Sequence, residues 1–555
     1  MLCLVHGYGL TGSGSNQWTR SIARGLCELG ETVHLVCQEN RPEQFDFIAE
    51  AHAYDPSGEP TLLFRRNVPF RGRCIMHRPL LEILPTYVRP APGVTSMASI
   101  LDLPREKLDD YVARNEATLR RILADHDISA VHVNHVVLMA VAVHRACRAA
   151  GVPFGVMPHG SAIEYVVKHD ERMRELARAA LADAHTIFLL SDEMRERIQS
   201  VFPEITDAEA KMVMASAGVD TRQFQVIPRS ARMESIGRLK DAMADSPRGC
   251  RLDQQRALHE GLREDLELDE LLALLAGFSD FPPKLPDEAV EKRLDGIDWT
   301  SDDIILYVGK LIGYKGLPAL IVAFPAILER RPNARLIVAG RGNLRGALQA
   351  LVYALADGHR RLARNILEWG GAVEGEERLP FERPIHFLHN LERRDLLDAY
   401  FERAACADLI DKVIFTGYLE HHLLCHLFPC CDVAIFPSVV KEAAPLVVPE
   451  AMASGCFPIG TDYAGMGTSL DVAAEAVPDD IGRLMRLRHD PRYTTCDIVE
   501  NVPRALEHTD DYREALRDLA VRRYDWRSVA GSLATHMKAM AGYASTANWS
   551  DASRL

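Results

Sequence analysis

The stretch VAIFPSVVKEAAPLVVPEAMASGCFPIGT, residues 433–461, decides how the chain folds. It opens on the apolar run Val433–Phe436, short enough and apolar enough to be a buried strand. A Pro437-Ser438 turn follows, then a second apolar run in which Pro445 suits a first helical turn and Gly455 suits the residue just past a helix end. Phe457–Thr461 resumes as a strand. Strand, helix and strand in this order form a βαβ unit, and parallel strands with helical crossovers require a sheet covered on both faces. Glu442 stands before the helix and Glu450 within it, eight positions and so about two turns apart on a similar face. The backbone of Ala444, Pro445, Leu446 and Val447 lies between them, where a phosphate would rest. A carboxylate repels a phosphate unless it accepts hydrogen bonds from sugar hydroxyls, so the pair reads as sugar-binding. The plainer alternative is a capping acid plus a surface glutamate.

Upstream, the same alternation gives strands at Ile304–Val308, Ala334–Ala339 and Val413–Thr416. The front of the chain repeats it. Leu2–His6 and Thr32–Cys37 are strands flanking a helix from Trp18 to Leu29, and Ala130–Val133, Phe154–Met157 and Thr186–Leu190 continue the series. Ser191 is placed to cap the next helix. The pattern weakens between about 40 and 125, where the basic, proline-containing run Arg65 to Arg78 suggests irregular loops. Residues 229–300 and 356–410 are charged and helix-prone and read as insertions, and Trp526 begins a last amphipathic helix. The expected organisation is a first Rossmann-like domain at 1–228, a helical insertion or linker at 229–300, a second Rossmann-like domain at 301–520, and a terminal helix and tail at 521–555. Ligands of such sheets bind beyond the carboxyl ends of the strands.

Two further strand-to-helix loops could meet a phosphate-bearing ligand. Gly12-Ser13-Gly14-Ser15-Asn16 lets backbone approach closely ahead of a helix N-terminus. It is not a dinucleotide fingerprint, and an ordinary turn accounts for it equally well. Gly309 to Gly316 carries Lys310 and Lys315, five positions apart and flanked by glycines, which can converge on one pyrophosphate as point charges. A solvated loop is the alternative.

Taken together, Gly14–Gly30, Pro158–Ser161, Gly218-Val219-Asp220, Tyr307–Gly316, Ala339-Gly340-Arg341-Gly342, Phe415–Tyr418 and Pro437–Gly455 resemble glycosyltransferase family 4, the retaining nucleotide-sugar transferases of GT-B fold. The Glu-x7-Glu pair with Glu-Ala-Met-Ala-Ser-Gly is the specific element; the others fall in matching order. The resemblance implies an α/β fold of two doubly wound domains facing a central cleft, with helical insertions. It implies that Glu450 binds the ribose hydroxyls and Glu442 the donor sugar, while Lys310 and Lys315 hold the pyrophosphate. Gly14 and Gly340 would line the donor, His159 would lie beside the sugar, and Gly417, Tyr418 and Leu419 would run along the base. The donor would be a UDP- or GDP-linked hexose and the acceptor a glycan, lipid or small molecule. Catalysis would need no metal, since no Asp-x-Asp stands in a matching loop. The chain departs from the family in having Lys310 where Arg is commoner, Ala217 where Asn precedes Gly-Val-Asp, and Ala-Ala-Pro after Glu442. A non-catalytic nucleotide-sugar scaffold and a nucleotide-sugar epimerase of similar fold are the rival readings.

Composition bounds the rest. Over 555 residues, 47% hydrophobic and 26% charged content exclude a disordered or fibrous chain. A net charge of −14 argues against a nucleic-acid partner, which needs a basic face. No apolar run reaches the length of a membrane span, and the first residues lack the pattern of a secretory signal. The 12 scattered cysteines form no Cys-x-x-Cys, and His421, His422 and His426 near Cys430 and Cys431 show no metal-ligand spacing. A cytoplasmic protein is expected. Peripheral membrane contact through Arg65, Arg66, Arg71, Arg73 and Arg78 is weighed against a solvated surface.

Overall fold

A computed structural model describes residues 1–12, 14–87, 95–278 and 284–546. The chain divides into two compact units, Met1–Gly218 with Arg523–Leu555, and Val219–Arg522.

The first unit is built on a nine-stranded sheet. Its order is Met212–Met214, Thr186–Leu189, Phe154–Met157, Ala130–Asn134, Leu2–Val5, Thr32–Val36, Arg73–Pro79, Ile48–Tyr54 and Pro60–Arg65. Every neighbouring pair is parallel except the last, where Pro60–Arg65 runs antiparallel to Ile48–Tyr54. The chain reverses its direction of growth between Leu2–Val5 and Ala130–Asn134, which makes that junction the topological switch point. The helices Gly14–Glu28 and Trp526–Thr546 pack on one another through Trp18, Ile22, Leu26, Ala530, Leu533 and Met537. Their approach requires Gly25, since a Cβ there would stand 2.8 Å from the Ala530 Cβ. Ser191 caps its helix by accepting from the Met194 N–H at 3.3 Å.

The run expected to be irregular holds strands instead. Arg73–Pro79 is central in the sheet because His77 and Met76 bury beside His34 and Leu35, and the tolerated proline falls at the strand's end. Its arginines are largely engaged. Arg65 pairs with Glu50 at 2.7 Å, Arg66 donates to the Ile48 and Glu43 carbonyls, and Arg78 donates to Asn40. Among the described residues no helix is long and apolar enough to cross a membrane.

The second unit carries a six-stranded, all-parallel sheet ordered Val413–Gly417, Ala334–Ala339, Asp303–Val308, Val433–Phe436, Phe457–Thr461 and Arg486–Leu487. In chain order this is 3-2-1-4-5-6, so the switch point lies between Asp303–Val308 and Val433–Phe436. Residues 229–300 fall within this unit. They form the helices Arg232–Met243, Leu252–Gly261, Leu268–Leu275 and Val290–Asp295, and two buried ion pairs tie the segment to the sheet and its helices. Arg232 reaches Asp432 at 2.6 Å, and Asp287 meets Arg345 at 2.8 Å. The proline-rich stretch at 281–283 lies outside the described residues. The other insertion forms the helices Arg360–Trp369, Glu382–Arg393 and Leu397–Ala405.

Candidate functional site

The switch point of the second unit brings together the loops that leave its two flanking strands. The first, Gly309 to Gly316, ends in a tight turn at Gly313–Lys315 and a left-handed Gly316 (φ 76°). A Cβ at Gly316 would lie 1.9 Å from the Pro437 carbonyl oxygen, so only glycine lets this loop lie against the second, Pro437 to Leu446. Across that contact Val439 donates its N–H to the Tyr314 carbonyl at 2.8 Å, and Lys315 Nζ forms an ion pair with Glu442 Oε1. Ser438 Oγ donates to the same carboxylate oxygen at 2.9 Å. Both charged side chains keep about a fifth of their surface exposed, 23% for Lys315 and 19% for Glu442. Lys310 stands exposed on the same loop, its carbonyl held by the Tyr307 hydroxyl at 3.0 Å.

Glu450 lies deeper, 5% exposed, with His421 Nε2 at 2.9 Å from its Oε1. His421 opens the helix His421–Leu427 just beyond the strand Val413–Gly417. Neither Ser438 nor His421 is singled out as a glutamate partner by the sequence, because both contacts join segments whose proximity only the sheet order sets. The helix behind Glu442 is shorter than its apolar run suggests. It spans Val447–Ala453, so Pro445 lies two residues before it rather than in its first turn. Pro445 also has no N–H, which leaves Ala444, Leu446 and Val447 as the amides of that segment. Gly455 is left-handed (φ 67°), as a helix terminator should be.

Gly340 and Gly417 occupy the neighbouring strand ends. Gly340 donates its N–H to the Gly417 carbonyl at 2.8 Å, and a Cβ on it would stand 1.8 Å from the Gly309 carbonyl oxygen. Tyr418 donates its N–H to Leu285 at 2.9 Å and lies beneath the Arg341 guanidinium, while Leu419 is buried. Segment 284–287 thus covers this edge from the side.

In the first unit, the switch point collects His6, Asn134, His135 and His159. Asn134 Nδ2 donates to Thr19 Oγ1 at 3.1 Å, which turns its Oδ1 toward His159 Nε2 at 2.8 Å. That arrangement selects the tautomer with the proton on Nε2 and leaves Nδ1 as the acceptor. Burial pushes the His159 imidazole down to about 3, so it is neutral at neutral pH. Gly14 begins the helix Gly14–Glu28, and open space lies where a Cβ would be. Among the described residues no group of three His, Cys, Asp or Glu side chains is placed to hold a metal ion. All twelve cysteines are unpaired thiols.

Residues 13–210 match the glycosyl transferase 4-like domain, and residues 296–360 and 395–473 match the glycosyl transferases group 1 domain. The two matches together make the chain a glycosyltransferase. This glycosyltransferase also resembles an uncharacterized glycosyltransferase of Methanocaldococcus jannaschii, 28% identical over 165 residues. That match spans 30% of this chain and 28% of the relative, well under two thirds of the relative's length. Its fold is GT-B. Sucrose-phosphate synthase of Thermosynechococcus elongatus superposes with a TM-score of 0.51 at 14% identity, covering 98% of this chain and 99% of that one. The apo structure of OtsA superposes at 0.50 with 11% identity, covering 97% and 99%. The group 1 match skips residues 361–394 of this glycosyltransferase, a gap that falls inside its second insertion.

Proposed function

We propose that this glycosyltransferase moves a hexose-type sugar from a UDP- or GDP-linked donor to a hydroxyl-bearing acceptor, with retention at the anomeric carbon and without a metal. The observation that carries the reading is the Lys315–Glu442–Ser438 cluster at the switch point of a 3-2-1-4-5-6 sheet, with Lys310 exposed on the same loop. Breaking the anomeric C–O bond places charge on the diphosphate oxygens, and cations already in position stabilise that charge more in the transition state than in the ground state. A donor divides this pair without leaving either charge unmatched, its diphosphate taking Lys315 and a sugar hydroxyl donating to Glu442. Glu450, held by His421 through one oxygen, keeps the other for the ribose. The unpaired thiols suit a reducing cytoplasm.

A thermal-shift panel of UDP- and GDP-linked sugars tests the reading. Stabilisation by one donor, absent in Lys315→Ala, supports it, because a ligand that binds only the folded state raises its stability. No shift with any donor contradicts it.

A further inference from the structure

Residues 361–394, which the group 1 domain match skips, fold onto the loop that carries both lysines. Between the helices Arg360–Trp369 and Glu382–Arg393 the chain makes a compact turn. Gly370 there is left-handed (φ 52°), with space for a Cβ closed by the Leu379 carbonyl at 1.8 Å, and the Gly371 N–H donates to that carbonyl at 3.0 Å. The turn delivers Glu374 to Gly313, whose N–H donates to both carboxylate oxygens at 3.0 and 3.1 Å. The fit is close. A Cβ on Gly313 would lie 2.7 Å from Glu374 Oε1 and 2.7 Å from the Phe381 ring. The Gly313 amide thus meets a buried carboxylate, although burial disfavours its charged form and raises its affinity for a proton.

The same segment is tied to the second ligand-bearing loop. Arg383, buried, donates to the His489 carbonyl at 2.8 Å and to Thr494 Oγ1 at 3.2 Å. His489 Nε2 donates to the Val439 carbonyl at 3.1 Å, and the Val439 N–H returns to the Tyr314 carbonyl. The circuit therefore runs from Gly313 through Glu374 and Arg383 to Val439 and back to Tyr314, around a cavity of about 260 Å³. Lys315 and Ser438 are each one residue from a member of this circuit.

We propose that Glu374 is a positioning residue: its carboxylate holds the Gly313 N–H and so fixes the turn that presents Lys315 to the donor diphosphate. The claim rests on the donor reading above for its consequence, but not for its geometry. Alanine at 374 frees the Gly313 amide and the turn. Glutamine keeps a carbonyl oxygen for the amide and loses only the charge.

The test uses the full chain as wild type, Glu374→Ala and Glu374→Gln, with two readouts. Hydrogen exchange followed on the peptide covering 309–316 is expected to quicken about tenfold in Glu374→Ala, the loss of about one hydrogen bond. The peptide covering 457–461 should not change. Titration with UDP is expected to show affinity about five- to tenfold weaker in Glu374→Ala, and within about threefold of wild type in Glu374→Gln. Unchanged exchange at 309–316 in the alanine variant overturns the proposal, as does an increase spread evenly across the second unit. If wild type binds no UDP, the donor reading fails, while the exchange result still decides the role of Glu374.

Discussion

His421 Nε2 lies 2.9 Å from Glu450 Oε1, on a carboxylate only 5% exposed. The pair joins the helix that follows the third strand of the second sheet to the helix that follows the fourth, so Glu450 is oriented before any ligand arrives. Removing the imidazole leaves a buried carboxylate without that partner, a cost of about 1–3 kcal/mol. His421→Ala is expected to lower the melting temperature and to weaken UDP binding, whereas His422→Ala, on the neighbouring exposed residue, should do neither. Calorimetry and a melting curve on both variants check this.

Asp432 accepts from the fully buried Arg232 at 2.6 Å, from Arg229 at 2.9 Å and from the Ile304 N–H at 2.9 Å. The insertion 229–300 is thereby joined to the first strand of the second sheet. Arg232→Met removes one cation from a buried cluster in which Arg229 still pairs with Asp432, so the loss is expected to fall short of the ~3–5 kcal/mol of a fully broken buried pair. Urea unfolding of the second unit should shift accordingly. A variant as stable as wild type would show that the insertion is only loosely held.

Glycines 14 and 316 make opposite predictions. Nothing occupies the Cβ position of Gly14, so Gly14→Ala should leave stability unchanged or slightly higher. Gly316→Ala forces a left-handed residue into the Pro437 carbonyl and should cost stability outright, by about 1–3 kcal/mol or more. Melting curves separate the two.

The first unit is expected to be acid-labile. Burial pushes His6 down to about 4 and His34, His132 and His159 to about 3. Unfolded imidazoles take up protons as pH falls through about 6.5, while these folded ones stay neutral, so the stability present above that pH is lost on the way down to pH 4–3. Each such histidine contributes a slope of about 1.4 kcal/mol per pH unit near pH 5. His132, with both ring nitrogens buried, is stacked on Trp18 and packed against Phe188. His132→Phe should therefore flatten the dependence between pH 7 and 5 by one proton. An unchanged slope would contradict the assignment.

The alternating apolar runs made both sheets legible, since Leu2–Val5, Thr32–Val36, Phe154–Met157, Ala334–Ala339, Val433–Phe436 and Phe457–Thr461 are all short buried strands. The strands at 48–79 were not. Pro60–Arg65 is a largely exposed edge strand that starts at a proline, and Arg73–Pro79 interleaves its apolar Cys74, Ile75 and Met76 with arginines and a buried histidine, His77 stacked on His34, so its run reads as a basic loop. Lys315, Glu442 and Glu450 were marked by their spacing within single loops. Ser438, His421 and Glu374 act through contacts set by strand order and by an insertion, and local pattern carries no trace of those.

The central claim is that Lys315 and Glu442 together receive the diphosphate and sugar of a nucleotide donor. Titration calorimetry of wild type, Lys315→Ala and Glu442→Gln with UDP, GDP and their hexose conjugates tests it most directly. The account predicts that one nucleotide binds wild type and loses about tenfold or more in affinity, about 1.4 kcal/mol, in Lys315→Ala. Glu442→Gln should weaken the sugar conjugate more than the bare nucleotide. Binding undiminished in both variants, or no binding to wild type, would contradict it.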